Sequence, residues 1–361
     1  MKQSLAGLSL LELQEVLSPL PKFRACQIYK WIINGKSSFE EMTNIPSVLQ
    51  KELSQKFNIF SSEAVNRLEA ADTRKIALLL HDNAVIEAVL LNDNKNRLTA
   101  CLSSQAGCPA GCVFCKTGSL GFKRNLESNE IIEQFLHLKS AAQSTAADNR
   151  KKNEHIIDNI VIMGMGEPLL NISNLRKAVD FLCDRKGENL SLRRITVSTC
   201  GICEGLFDIA KNGPYFRLAL SLVTADEPLR RTLMPVTKSN PLNRVKEALL
   251  LYQKNGGGRI TLEIPLLAFK ETGGINSGAK DASYISDFAK GIDAVINIIP
   301  WNPVEGLKFE DKDLSEPSKK ETENFIKLLE SHKLKVTTRL HKGKKISGAC
   351  GQLGVVSEEK R

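Results

Sequence analysis

The chain has 361 residues, enough for one large α/β core and a small accessory domain, and its 42% apolar and 25% charged residues are ordinary for a soluble globular protein. Aromatics at 6% are too sparse for a stacking platform for single-stranded nucleic acid. The 50 Lys and Arg outnumber 41 Asp and Glu, and the formal charge of +9 suits either a phosphate-rich partner or simple solubility.

In chain order, residues 5–57 carry apolar positions at helical spacing: Leu10, Leu13, Val16 and Leu17, then Ile28, Trp31, Ile32 and Ile33. Pro21 and the stretch 35–38 interrupt them, and a further helix is expected over 46–57. Strand-like runs follow at 75–80 and 84–91, with His81-Asp82-Asn83 as the turn between them, and a third run covers 98–103. Beyond these, strands at 160–163, 195–198, 218–222, 260–266 and 295–299 alternate with helices near 128–142, 172–184, 204–211, 241–254 and 282–291. Such alternation implies a parallel sheet, in a barrel or partial barrel whose site lies at the strand C-termini. A polar surface loop is expected at 144–155 and a charged loop at 305–317. A helix near 319–331, a strand near 335–340 and a frayed tail at 357–361 complete the chain. The boundaries read as a helical N-terminal domain over 1–60, a β-hairpin linker over 61–96, a core over 97–340 and a C-terminal loop and tail over 341–361.

No run approaches the ~18 apolar residues of a membrane span, and Met1–Leu10 shows no export signal. No membrane association is expected, and the location expected is cytoplasmic. In that reducing setting, nine cysteines read as metal ligands or catalytic thiols before disulfides. Cys108-Pro-Ala-Gly-Cys112-Val-Phe-Cys115 puts three thiols on a short glycine-bearing loop just after a strand. Short cysteine runs of this kind hold iron–sulfur clusters, and three ligands leave one iron open. A zinc site would need a fourth ligand, and His81, His137, His155, His332 and His341 all lie far off in sequence.

The CxxxCxxC run, with Phe114 before its last cysteine, resembles the signature of the radical S-adenosylmethionine (SAM) superfamily. Gly164-Met165-Gly166-Glu167-Pro168 resembles that family's SAM-contacting segment. Two further thiols narrow the likeness: Cys101, seven residues before Cys108, and Cys350 in Ala349-Cys350-Gly351-Gln352. Together with Gly121-Phe122-Lys123-Arg124-Asn125-Leu126 and Pro300-Trp301-Asn302-Pro303, they make the chain similar to the RlmN/Cfr family of RNA adenosine methyltransferases. The implied fold is α/β: a partial (β/α)6 radical SAM barrel with a small helical N-terminal domain.

The resemblance implies a [4Fe–4S] cluster on Cys108, Cys112 and Cys115, and two SAM molecules per turnover. Cys350 would carry the methyl group, Cys101 would resolve the protein–RNA thioether through a transient disulfide, and Glu87 would take the proton from the adenine. Gly166, Glu167, Ser198, Ser221, Leu222, Val223 and Asn302 would contact SAM; Val223 stands where the family usually has His. The implied reaction is methylation of carbon 2 of an adenosine in the peptidyl transferase centre of 23S rRNA, and of the adenosine beside the anticodon in tRNA. Flavodoxin or ferredoxin would supply electrons. A Cfr-type C8 methyltransferase keeps the same cysteines, and a non-catalytic iron–sulfur RNA-binding protein is the alternative from another class. Candidate phosphate contacts are Lys123, Arg124, Arg193, Arg194, Arg339, Lys342, Lys344 and Lys345.

Overall fold

The structure is a computed structural model that describes residues 2–93, 95, 97–143, 155–338, 343 and 346–354. Residues 144–154 of the loop expected over 144–155, the candidate cations Arg339, Lys342, Lys344 and Lys345, and the tail at 357–361 lie outside the described residues.

One ten-stranded sheet organises the chain. Its strands, numbered here in chain order, are β1 (Glu63–Ala70), β2 (Thr73–Leu79), β3 (Val85–Asn92), β4 (Leu98–Leu102) and β5 (Asn159–Ile162). They continue with β6 (Ile195–Thr199), β7 (Arg217–Ser221), β8 (Ile260–Leu266), β9 (Ala294–Pro300) and β10 (Val336–Thr338). Spatial order equals sequence order, with β1 and β10 as the two edges, so the sheet does not close on itself. Strands β1 to β4 pair antiparallel. Every neighbouring pair from β4 with β5 through β9 with β10 is parallel.

Parallel neighbours require crossovers, and helices supply them: Ser128–Gln143, Ile172–Cys183, Cys203–Asn212, Leu242–Lys254, Ala279–Ala289 and Lys319–Ser331. The first is buried nearly all round, and the others pack apolar residues against the sheet. In Ile172–Cys183 the stripe is Leu175, Ala178, Val179 and Leu182, all buried at helical spacing. The result is the partial barrel expected from the alternation. The parallel strands β4 to β10 all deliver their C-terminal ends to one rim.

Three helices, Leu10–Val16, Lys22–Ile33 and Ser47–Lys56, form the N-terminal region. Ser9 starts the first with a capping box, in which Glu12 N–H donates to the Ser9 hydroxyl (3.3 Å) and Ser9 N–H to the Glu12 carboxylate (2.8 Å). The region is fastened to the barrel by buried polar groups as well as by apolar packing. Lys139 Nζ donates to Ile33 O at 2.9 Å, and the Glu133 carboxylate accepts from the Ser61 and Ser62 N–H groups at 2.8 Å each.

Two segments differ from expectation. The stretch read as a hairpin holds a third strand, β1, whose alternation of exposed and half-buried residues gives only a weak apolar signal at the sheet edge. Residues 305–317 are not simply a loop. Lys308–Phe309 and Lys312–Ser315 pair antiparallel and join Ala268–Phe269 and Gly273–Gly274 in a small four-stranded sheet. Their turn residues, Glu310 and Asp311, both have positive φ, the two-residue hairpin geometry usually filled by Asn and Gly, which concealed it. Among the described residues no helix is long and apolar enough to cross a membrane.

Candidate active site at the strand C-termini

The chain leaves β4 at Leu102 and runs directly into the cysteine loop. Gly107 turns with φ +80°, and an added Cβ there would collide with Gly121 O, which accepts from Cys108 N–H at 2.9 Å. Cys108, Cys112 and Cys115 all line one cavity beneath the barrel rim. Burial pushes the Cys108 thiol up to about 12 and raises Cys112 and Cys115 as well, with the neighbouring thiols adding to the effect at Cys108 and Cys112. Three buried thiols that repel one another as thiolates call for a cationic centre between them, which inverts that repulsion. Among the described residues no three His, Cys, Asp or Glu side chains converge as ligands of a single ion do. A cubane cluster takes its thiolates on separate iron corners, and three cysteines lining one cavity are a donor set of the kind that such a cluster uses.

Other walls of the cavity come from successive strand ends. From β5 come Ile162, Met163, Gly164, Gly166 and Glu167; from β6 come Ser198, Thr199 and Cys200; from β7 comes Ser221. Gly166 has φ +101°, and a Cβ would sit 2.7 Å from Gln105 N, so only glycine allows this turn against the strand before the cluster loop. Glu167 is 3% exposed; burial raises its pKa, while Thr199 Oγ1 (2.7 Å), Cys200 N–H (2.7 Å) and Leu169 N–H (3.0 Å) donate to its carboxylate and favour the charge. Ser198 Oγ donates to Glu263 Oε2 at 2.8 Å and lies 3.2 Å from Ser221 Oγ.

Cys350 closes the cavity from the far end of the chain. Its loop is stitched to the cysteine loop by Lys116 N–H to Gly351 O (2.9 Å) and Thr117 Oγ1 to Leu353 O (2.8 Å). Asn302 Nδ2, at the end of β9, donates to Cys350 O at 3.1 Å. Cys350 and Asn302 also line a second cavity together with Cys101 from β4. Cys350 therefore stands between the space shared by the three cysteines and the space that contains Cys101. All nine cysteines are free thiols.

Glu87 is not the solvent-facing strand carboxylate that its pattern alone suggests. It is 2% exposed and pairs with Lys75 at 2.7 Å, while its second oxygen accepts from Gly354 N–H. Lys75 Nζ also donates to Ser347 O at 3.3 Å, so the pair grips both ends of the Cys350 loop. Val89 on β3 pairs with Cys101 on β4, and this ladder runs unbroken to Asn92 with Leu98. Glu87, two residues from Val89 on the same strand, therefore shares one face of the sheet with Cys101.

Three candidate residues lie off the cavity lining or are engaged elsewhere in the fold. Leu222 and Val223 do not line the cavity; both are fully buried. Val223 has φ +66°, an outlier for a β-branched residue, held by its N–H to Glu263 O (3.1 Å) and by Asn276 Nδ2 to its carbonyl (2.8 Å). Both backbone groups of Val223 are therefore engaged. Arg124 is not a free phosphate contact, because its guanidinium grips buried Glu130 (2.7 and 2.8 Å) and Asp82 (2.7 and 3.2 Å). Conversely, Glu263 lines the cavity and was missed. The signal was present: a carboxylate between Leu262 and Ile264 in a strand otherwise almost wholly apolar.

Residues 102–270 match the family model of the radical SAM superfamily, and residues 4–59 match that of the ribosomal RNA large subunit methyltransferase N-terminal domain. A probable dual-specificity RNA methyltransferase RlmN of Treponema denticola is 46% identical over 354 residues, covering 98% of this chain and 96% of the relative. The dual-specificity RNA methyltransferase RlmN of Lawsonia intracellularis is 39% identical over 337 residues, covering 92% and 90%. A crystal structure of a radical SAM methyltransferase from Sphaerobacter thermophilus superposes with a TM-score of 0.88 at 31% identity, covering 98% of this chain and 99% of that one. A glycine-bearing cysteine loop, a strand-end cavity and a C-terminal thiol thus occur in a chain that belongs to the RlmN family of radical SAM methyltransferases.

Proposed function

We propose that this chain methylates carbon 2 of an adenosine in 23S rRNA and in tRNA, through an S-methylated Cys350, using two SAM molecules per turnover. The observation that carries the reading is the position of Cys350, which borders both the cavity of Cys108, Cys112 and Cys115 and the cavity of Cys101. A methyl carrier needs access to both.

The three loop cysteines would hold a [4Fe–4S] cluster, which supplies the electron that splits one SAM reductively into methionine and a 5′-deoxyadenosyl radical. Gly166, Glu167, Ser198, Ser221 and Asn302 line the same cavity as the three cysteines and would hold SAM, with Glu263 beside them. The Cys350 thiolate would attack the methyl carbon of a first SAM, forming the sulfur–carbon bond as S-adenosylhomocysteine leaves. After loss of one hydrogen atom to the radical, the Cys350 methylene adds to adenine carbon 2. Glu87 would accept the proton that leaves this carbon, and the unpaired electron left on the base would return to the cluster that was oxidised in the cleavage of SAM. Cys101 then attacks the Cys350 sulfur, forming a disulfide, and the released carbon takes up a proton as the new methyl group. Flavodoxin or ferredoxin serves as electron donor, and the cytoplasm is the setting.

The target base must leave its stack to reach this depth, with cations holding its backbone. Lys123 and Arg193 are exposed and suited to that task, whereas Arg194 is engaged with Asp158. The test is anaerobic reconstitution with iron, sulfide, SAM, reductant and rRNA or tRNA fragments, followed by mass spectrometry of the nucleosides. Methylation at carbon 2 is expected; 8-methyladenosine in its place would sink the assignment.

A further inference from the structure

Arg230 is fully buried, larger than any other side chain so enclosed, and has no part in the chemistry above. It sits on the helix Glu227–Leu233, which packs on the cysteine loop: Val113 N–H donates to Leu233 O at 3.1 Å. Its guanidinium donates to Leu222 O (2.9 Å), Thr237 Oγ1 (2.6 Å), Cys200 O (2.7 Å) and Ser221 O (3.2 Å). Three of these acceptors are backbone carbonyls and one is a hydroxyl. Among the described residues no carboxylate forms an ion pair with it. Glu227, one turn away, instead accepts from Arg231 (2.6 Å) and Leu242 N–H (3.1 Å).

A cation enclosed without a counter-ion is strongly destabilising, so a buried guanidinium with only neutral partners implies negative charge close by. Burial works against the charge of Arg230, and a thiolate at Cys112, one of the three loop donors, would support it. We propose that Arg230 is the fixed counter-charge of the iron–sulfur cluster, a positioning residue that raises the cluster's reduction potential from behind the cavity wall. Three thiolates outweigh the positive charge of an oxidised cubane, and reduction adds one more negative charge. A fixed cation in a low-dielectric surround favours the reduced form. The same fork ties the ends of β6 and β7 together, beside Ser198 and Ser221.

This inference rests on the [4Fe–4S] reading of the loop cysteines, and one experiment separates the two. Wild type, Arg230→Gln, Arg230→Lys and Thr237→Asp are reconstituted anaerobically and assayed for iron and sulfide per chain. Each is then titrated with redox mediators while the reduced cluster is followed by electron paramagnetic resonance. A wild type that assembles no cluster sinks the underlying reading, and the inference with it. With the cluster present, Arg230→Gln lowers the reduced-to-oxidised ratio at fixed poise by about tenfold, which is about 59 mV for one electron. Arg230→Lys keeps the ratio within about twofold of wild type, because the charge remains. Thr237→Asp, which gives the guanidinium an anionic partner while leaving it in place, also lowers the ratio. An unchanged potential in Arg230→Gln overturns the proposal. If that variant loses its iron, an unchanged potential in Thr237→Asp overturns it instead.

Discussion

At the scale of single residues, Cys350 and Cys101 face one cavity from opposite ends of the chain, and their roles are separable. Cys350→Ala should yield no methylated nucleoside in the reconstituted assay. Cys101→Ala should leave the thioether unresolved and accumulate a covalent protein–RNA adduct, visible as a denaturant-resistant shift on a gel; free methylated RNA from that variant would contradict the role given to Cys101. The Lys75–Glu87 pair carries a stability prediction of its own. Both side chains are at most 3% exposed, so removing one partner strands the other as a buried charge. Lys75→Met should cost about 3–5 kcal/mol in urea unfolding, and a Lys75→Met, Glu87→Leu double variant should recover much of it. Equal losses in both variants would mean that the pair is not what holds this corner together.

At the scale of elements, the helix Ser128–Gln143 is a spine whose polar residues each fasten a different segment. Glu130 holds Arg124 on the strand Phe122–Asn125, and Glu133 holds the strap at Ser61 and Ser62. Gln134 accepts from Ser103 N–H (2.7 Å) and donates to Ser103 O (3.0 Å) at the entry to the cysteine loop. This explains why Arg124→Ala is expected to lower stability rather than only RNA affinity. His137 on the same helix lies against Phe60, with ring centroids 4.6 Å apart, and 3.3 Å from Ser62 Oγ. Burial lowers its pKa from 6.5 to about 4, with Arg67 adding to the effect. The folded chain thus keeps this imidazole neutral while the unfolded chain protonates it near 6.5. The associated stability is complete above that pH and is lost as pH falls toward 4, an amount on the order of 2–3 kcal/mol. Urea midpoints at pH 7.5 and 4.5 should converge for His137→Gln relative to wild type; parallel losses would exclude His137 as the cause.

At the scale of the whole molecule, the charge of +9 acquires a direction from the site. Lys123 is exposed on the segment that follows the cysteine loop. Lys123→Ala should weaken binding of all RNA fragments to a similar degree and reduce the slope of log affinity against log salt by about 0.7–0.9 per lost phosphate contact. An unchanged slope would remove Lys123 from the interface.

The alternation of strands and helices from β4 to β10 was legible because parallel strands buried on both faces are nearly continuous apolar runs, and the intervening helices carry clean stripes. The edge strand β1 and the hairpin at 308–315 were not, since neither has a strong apolar period. Cys108, Cys112, Cys115 and the Gly164–Glu167 turn could be read directly because a cofactor's grip depends on residue identity at short spacing along the chain. Cys101 and Cys350 needed a family likeness to be singled out, for a free thiol by itself says nothing. The sequence alone therefore determined which chemistry the protein can host. Only the tertiary structure decided which groups stand behind it: Glu263 in the cavity wall, Lys75 against Glu87, Arg230 enclosed against Cys200 O and Ser221 O, and Val223 buried at positive φ. Those assignments depend on burial and on partners far apart in sequence, and no local pattern encodes either.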